Sequence, residues 1–488
     1  MIGRQRVGAA LGVMAMMLSA CGGGSSGGGT VITPTPTPTP TVTPTPTPTP
    51  IAGCSLRERQ DWAFAQMNEW YLFPETLPAS LNPSPYPNVG SYIDALTATA
   101  RAQRRDRYFT YLTSIAEENA YYNSGASAGF GFRLGANSAA RRIFIIESFE
   151  GAPALAAGID RGAEILAIGP TTNTLRNVSD IIAAEGTAGV TDALGPDISG
   201  TTRILRIADA GGTRNVTLAK ADFELLPVST RYGGKVIDNG GTKVGYVNLR
   251  TFINTADPAL RQVFADFRAQ GVTQFIIDLR YNGGGLVSIA ELMGDLMGGG
   301  RAATDAFDYM TFRPDKAAEN EVHYFTQQPQ TVSPVKVAFI GTGGTASASE
   351  MLINGFLPYL HTNMALIGTN TYGKPVGQIA LDKPECDDRL RVIAFAVENA
   401  QHQGAYFNGL ANTVEASCQA SDDIGHPLGD PLESSTAAAL NFLAGRACTR
   451  ISSASAAART LQLGTPEERQ LLAPKRPSTM QREVPGAF

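Results

Sequence analysis

The spacing of apolar and polar positions changes twice along the folded part of this chain. Between Cys54 and Tyr122 the apolar residues recur at helical spacing. Trp62, Phe64, Met67, Trp70 and Tyr71 come first, then a proline-rich loop, then Tyr92, Ile93 and Leu96. This predicts a small helical cap with the aromatics as its core. From Ser124 to about Ser229 short apolar runs alternate with glycine turns. Gly129 to Leu134 alternates with glycine, Ile143 to Ile146 reads as a strand, Gly151 to Ile159 as a short helix closed by glycine, and Arg161 to Gly169 as a turn plus strand. From about Tyr232 strands and helices take turns. Strands are predicted at Val244–Leu249, Phe275–Leu279, Val335–Ile340, Ala365–Gly368 and Val392–Val397. Helices are predicted from Asp257 to about Gln270, from Ser288 to Met297, and from Ser347 to about Leu360. The first of these has an acidic cap, proline in its opening turn, and Leu260, Val263, Phe264 and Phe267 on one face. Such a rhythm belongs to the α/β class.

The flanks lack this patterning. Arg4 and Arg6 precede an apolar run, Val7 to Leu18, that ends in Leu18-Ser19-Ala20-Cys21. This is the form of a signal peptide, too short for a comfortable membrane span. The cysteine after small residues resembles a bacterial lipobox, which implies cleavage before Cys21 and a lipid on its thiol. Gly22, in the position next to that cysteine, favours the outer membrane by the same resemblance. Gly/Ser residues follow, then Thr-Pro repeats over 33–50, broken once by Val42. Alternating proline forbids helix and favours an extended stalk of about 3.1 Å per residue. After Cys448 the chain turns Ala/Ser-rich and then Pro/Arg-rich, and reads as partly disordered. The expected organisation is a signal peptide (1–20), a lipidated linker (21–53), a helical domain (54–123), a β-rich domain (124–229), an α/β core (230–448) and a tail (449–488).

Composition narrows the function. The 488 residues carry 44 acidic and 39 basic side chains, a net charge of −5 without long charged runs, which argues against a nucleic-acid surface. Besides Cys21 there are Cys54, Cys386, Cys418 and Cys448, with no C-x-x-C pair, so no zinc site is expected. An even count in an exported chain suggests disulfides. Cys386 with Cys418 and Cys54 with Cys448 is the expected pairing, one of three that the sequence allows.

Three segments carry the candidate chemistry. Asp278-Leu279-Arg280-Tyr281-Asn282-Gly283-Gly284-Gly285 follows an apolar strand and offers main-chain N–H groups unencumbered by side chains. Ser347 lies in Gly343-Gly344-Thr345-Ala346-Ser347-Ala348-Ser349-Glu350, at the start of a predicted helix, where free N–H groups and the helix dipole favour negative charge. Taken alone, Ser347 or Ser349 fits a helix cap, with Glu350 completing a capping box. Lys374 lies on the glycine turn Thr371-Tyr372-Gly373-Lys374-Pro375-Val376-Gly377-Gln378. A serine needs a base, and none of His323, His361, His402 or His426 sits in a recognisable catalytic setting. A lysine serves if burial brings its pKa down from ~10.4. Gln378 is placed to orient the amine without adding charge. Gly284 or Gly285, with the Ala348 N–H, are the candidate oxyanion donors. Asp278 and Arg280 are expected to fix the loop rather than react.

These three segments resemble the signatures of the C-terminal processing peptidases of family S41. The resemblance covers roughly residues 54–445. It implies a ClpP/crotonase-like α/β core, with Ser347 as nucleophile, Lys374 as general base and Gln378 as its support, and no metal or other cofactor. The sequence departs from the family pattern at Gly283, where many relatives carry proline, and at Pro375, where a small residue is commoner. The β-rich segment resembles a PDZ domain, with Gly129, Phe130, Gly131 and Phe132 matching the loop that receives a peptide end. The expected partners are polypeptides, together with a membrane reached through the lipid on Cys21. Two rivals remain. Gly368 to Lys374 matches G-x-x-x-x-G-K, but Pro375 stands where a phosphate loop needs Ser or Thr. An inactive peptide-binding module would not need the Ser347/Lys374/Gln378 set.

Overall fold

The α/β core forms around a six-stranded sheet in a computed structural model that describes residues 52–452 and 469–488. Strands run in the order Gly234–Asn239, Thr242–Asn248, Gln274–Asp278, Lys336–Gly341, Met364–Gly368, Ser417–Gln419. The first two pair antiparallel and the others parallel. Both faces are covered, which is why Phe275-Ile276-Ile277 is apolar without alternation. Phe275 and Ile277 pack with Phe264, Met293 and Met351 on one side, while Ile276 meets Leu440 and Phe442 on the other. Helices Ala256–Ala269, Val287–Met297 and Ala348–Leu360 lie within two residues of their predicted bounds. Helix Ser434–Leu443, which covers the second face, was not predicted.

An antiparallel sheet stands beside this core. Strand Asp388–Glu398 pairs with Tyr111–Ser114, Ala306–Phe312 and Val376–Lys383. One of these strands comes from the segment read as a helical cap. That segment does hold helices Leu56–Trp70, Val89–Leu96, Ala98–Ala102 and Ile115–Ser124. Its Tyr71, Tyr92 and Leu96 are buried together with Leu390, Val392 and Ile393 of the antiparallel sheet, so the two share one core. The third layer is a sheet ordered Gln470–Leu471, Phe132–Asn137, Arg142–Ser148, Glu164–Gly169, Thr202–Asp209, Gly212–Ala219. Helix Val178–Leu194 packs into the core of this layer. It bends at Gly186 (φ 68°) and buries Ile181, Val190 and Leu194.

The expected cysteine pairing is corrected. The disulfides are Cys54–Cys386 and Cys418–Cys448. Helix Leu56–Trp70 docks on strand Asp388–Glu398 through the Arg59–Asp388 ion pair, which lands Cys54 at the turn Pro384–Cys386. The Gln419 N–H donates to the Thr449 carbonyl at 2.7 Å, bringing Cys448 alongside Cys418. The first bridge joins cysteines 332 positions apart, a span for which chain-entropy arguments give about 6 kcal/mol. The tail, read as partly disordered, is described from residue 469 onward. Residues 469–488 are ordered against the β-rich layer, with Met480, Val484, Ala487 and Phe488 buried. The signal peptide, Cys21 and the Thr-Pro stalk lie outside the described residues, as do 453–468. Among the described residues no helix is long and apolar enough to cross a membrane.

Candidate active site

Ser347 stands where strand Lys336–Gly341 gives way to helix Ala348–Leu360. Its φ of 57° and ψ of −120° are unusual for a residue with a side chain and cost about 1–3 kcal/mol. The surrounding turn enforces this. The Thr345 hydroxyl donates to the Leu279 carbonyl at 2.8 Å. The Ala346 N–H and the Ser349 hydroxyl both donate to the Asn282 carbonyl at 3.0 Å. Serine turn and glycine run are thereby one unit. Ser349, the rival cap residue, uses its hydroxyl in this contact instead.

The glycine run lies directly against the serine. A Cβ on Gly284 would sit 2.7 Å from the Ser347 Cβ and 3.1 Å from its Oγ, so a larger residue would displace the Ser347 side chain. Gly284 adopts φ 123° and Gly285 φ 135°, values that favour glycine. The Gly284 N–H donates to the Asn282 side-chain oxygen at 2.9 Å. The Gly283 N–H, absent from the candidate donors, is the one that meets a carbonyl oxygen, that of Glu483, at 2.8 Å. Ala348 is the first helical residue, so its N–H is among those without an intrahelical acceptor.

Asp278 and Arg280 hold the run from behind. Arg280 forms a two-armed pair with Glu433 at 2.8 Å on each arm, and its Nε meets Asp278 at 2.9 Å. The Tyr246 hydroxyl donates to Asp278 at 2.8 Å. All three charged side chains are fully buried. The guanidinium holds the Glu433 carboxyl down at about 2 against the opposing effect of burial. Arg280→Ala would leave two carboxylates buried without their cation. The expected loss is about 3–5 kcal/mol of stability, measured by denaturant unfolding.

Lys374 reaches the site on the turn before strand Val376–Lys383. Its amine donates to Gln378 Oε1 at 2.7 Å, and the Gln378 amide donates to the Phe109 carbonyl. Burial lowers the Lys374 pKa; Glu483 opposes this, and Arg482 and Arg391 add to it. The two turns are joined by Glu350. One of its oxygens accepts from the Ser347 N–H at 3.2 Å and the Lys374 N–H at 2.7 Å, and the other accepts from the Gly373 N–H at 2.7 Å. Glu350 was predicted as half of a capping box. It does bind the Ser347 N–H, but it also fixes the lysine turn, a role that no local pattern encodes. Arg107 was missed altogether; it donates to the carbonyls of Tyr372 and Gly373. The histidines face elsewhere: His323, His361, His402 and His426 each pair with a carboxylate outside these turns.

The candidate peptide loop is placed separately, at the start of strand Phe132–Asn137. Phe130 and Phe132 are buried, and the N–H groups of Gly131 and Phe132 both donate to the main-chain oxygen of Phe488.

Residues 243–415 match the model of peptidase family S41, a span that holds the glycine run, Ser347, Lys374 and Gln378. A carboxyl-terminal-processing protease of Picosynechococcus is 26% identical over 332 residues, covering 67% of this chain and 72% of that protein. The carboxy-terminal processing protease CtpA of Bacillus subtilis is 26% identical over 277 residues, covering 56% of this chain and 53% of its own length. For several such relatives the chain thus spans about half the length. A Bacteroides fragilis crystal structure assigned to the S41 proteases shares the fold, with a TM-score of 0.60 at 22% identity over 79% of this chain and 97% of that one. Residues 243–415 are thus matched to peptidase family S41, and the fold is shared with a structure assigned to the S41 proteases.

Proposed function

We propose that this chain is an exported serine endopeptidase that works with a Ser347/Lys374 pair. The observation that carries the reading is the Glu350 clamp, which ties serine turn and lysine turn to one carboxylate. The Ser347 hydroxyl attacks a peptide carbonyl while the Lys374 amine takes its proton. The leaving amine recovers that proton, and water, deprotonated by the same lysine, hydrolyses the ester to free Ser347. Gln378 keeps the amine aimed. The Ala348 N–H and the glycine run hold the oxyanion, each donor being worth about 3 kcal/mol in the transition state. The Gly284 N–H serves only once its peptide turns away from Asn282. Two disulfides support an oxidising compartment. We place the anchor at a lipid on Cys21, with polypeptides of the cell envelope as substrates and the PDZ-like layer as their docking site.

The test is cleavage of an unstructured polypeptide, with new termini identified by mass spectrometry and a serine-directed phosphonate as a label for Ser347. A folded chain that neither cleaves nor is labelled would sink the reading. The pH profile is a further expected outcome. A base must be unprotonated, so kcat/KM should rise with pH through the lowered Lys374 pKa and level off below the ordinary ~10.4. Stability should rise in the same window, between the native and unfolded values, because the unfolded chain there binds the additional proton.

A further inference from the structure

The tail of this chain lies where a peptide substrate would be expected to lie. Residues 486–488 add a strand to Phe132–Asn137. The Phe488 N–H donates to the Phe132 carbonyl at 3.0 Å, and the Gly131 and Phe132 N–H groups return to the Phe488 oxygen at 2.9 and 3.3 Å. The Leu134 N–H donates to the Gly486 carbonyl at 2.8 Å, and Arg133 pairs antiparallel with Ala487. The Phe488 ring enters the apolar core of the β-rich layer beside Phe130 and Phe132. This is strand addition of the kind by which extended peptides are captured.

The same segment continues to the glycine run. Helix Thr479–Glu483 packs its Arg482 guanidinium 3.7 Å over the Tyr111 ring and donates from it to the Tyr108 carbonyl. The Glu483 carbonyl takes the Gly283 N–H, and a Cβ on Gly283 would meet the Arg482 carbonyl at 2.3 Å. Proline at 283 would remove that N–H and strike the tail. The chain's departure from the family pattern at Gly283 therefore falls at the contact with its own tail. The Glu483 carboxylate also favours the charged form of Lys374, the form that cannot act as a base. A cover for an exposed strand edge needs main-chain pairing alone. This segment in addition occupies the loop expected to receive a peptide end and sits on the glycine run.

We propose that residues 478–488 are an internal ligand of the peptide-binding edge and a plug over the glycine run, which a substrate polypeptide bearing an aromatic residue at the place of Phe488 must displace. The proposal rests on the peptidase reading for its effect on cleavage but not for its effect on binding. A tethered ligand acts at millimolar effective concentration, so it excludes a free peptide of micromolar affinity by a factor of about 10²–10³.

The binding test uses Ser347→Ala protein and a fluorescent peptide with the sequence of residues 478–488. Protein deleted for 478–488 should bind it at least about 100-fold more tightly than the full chain. With Ser347 intact, the deletion should raise peptide cleavage, and added peptide should suppress it again. Equal binding by both proteins, or none by the deleted one in its folded state, overturns the proposal. If the deletion does not fold, full-length Phe488→Asp replaces it, since a charge in that apolar pocket should free the edge; unchanged peptide binding there overturns the proposal equally. Binding released by the deletion without cleavage by any form would remove the peptidase reading and keep the internal ligand. Equal cleavage with equal binding would do the reverse.

Discussion

Ser347→Ala is expected to lower turnover by at least about 10⁴-fold while leaving the fold intact. The oxygen removed is the one proposed to form the acyl bond, and no second hydroxyl stands in its place. Thr345 and Ser349 use theirs on the carbonyls of Leu279 and Asn282. The contacts that shape the turn are main-chain contacts. The Ser347 N–H keeps Glu350 as its acceptor in the variant, and an alanine Cβ meets Gly284 as the serine Cβ does. The unusual backbone angles disfavour alanine about as much as serine, so the melting temperature should not move appreciably. Cleavage kinetics and a thermal melt on the same preparation check this. Residual cleavage near the wild-type rate would remove Ser347 from the chemistry.

Lys374→Met is expected to reduce kcat/KM by about 10²–10⁴-fold, the range for loss of a positioned base. Methionine fills the space of the lysine stem but carries no proton acceptor. The loss should come with a flattened pH profile, because the group whose titration produces the rise is gone. Stability should hold or increase, since an amine whose charged form is disfavoured by burial is replaced by an apolar chain, with Gln378 Oε1 losing one donor. Lys374→Arg should not restore activity, because a guanidinium does not give up its proton in this range. A variant with the wild-type pH profile would show that the base lies elsewhere.

Much of this site was legible in the sequence because its parts are local. The apolar run before Asp278, the serine between small residues and the lysine on a glycine turn each declare themselves within eight or so neighbours. What joins them is not local. Glu350 matches a capping box in sequence, and only the folded chain brings Gly373 and Lys374 to the same carboxylate. Arg107 and Phe109 come from more than 200 residues upstream and hold the lysine turn by main-chain carbonyls, contacts that leave no mark on the side-chain pattern. The pairing of four cysteines depends on which turns meet, and helix Leu56–Trp70 decided that by docking on the antiparallel sheet. The tail reads as Pro/Arg-rich and structureless until a neighbouring strand edge gives its main chain partners.

The Cys54–Cys386 bridge has a mechanical consequence. Everything before residue 54 enters the fold at one end of that covalent link. Under the proposed anchoring at Cys21, a pull arriving at Cys54 is shared between the main chain and the bridge to the hairpin turn at Cys386. The bridge thus offers a covalent path that leaves out the 331 residues in between, Ser347 and Lys374 among them.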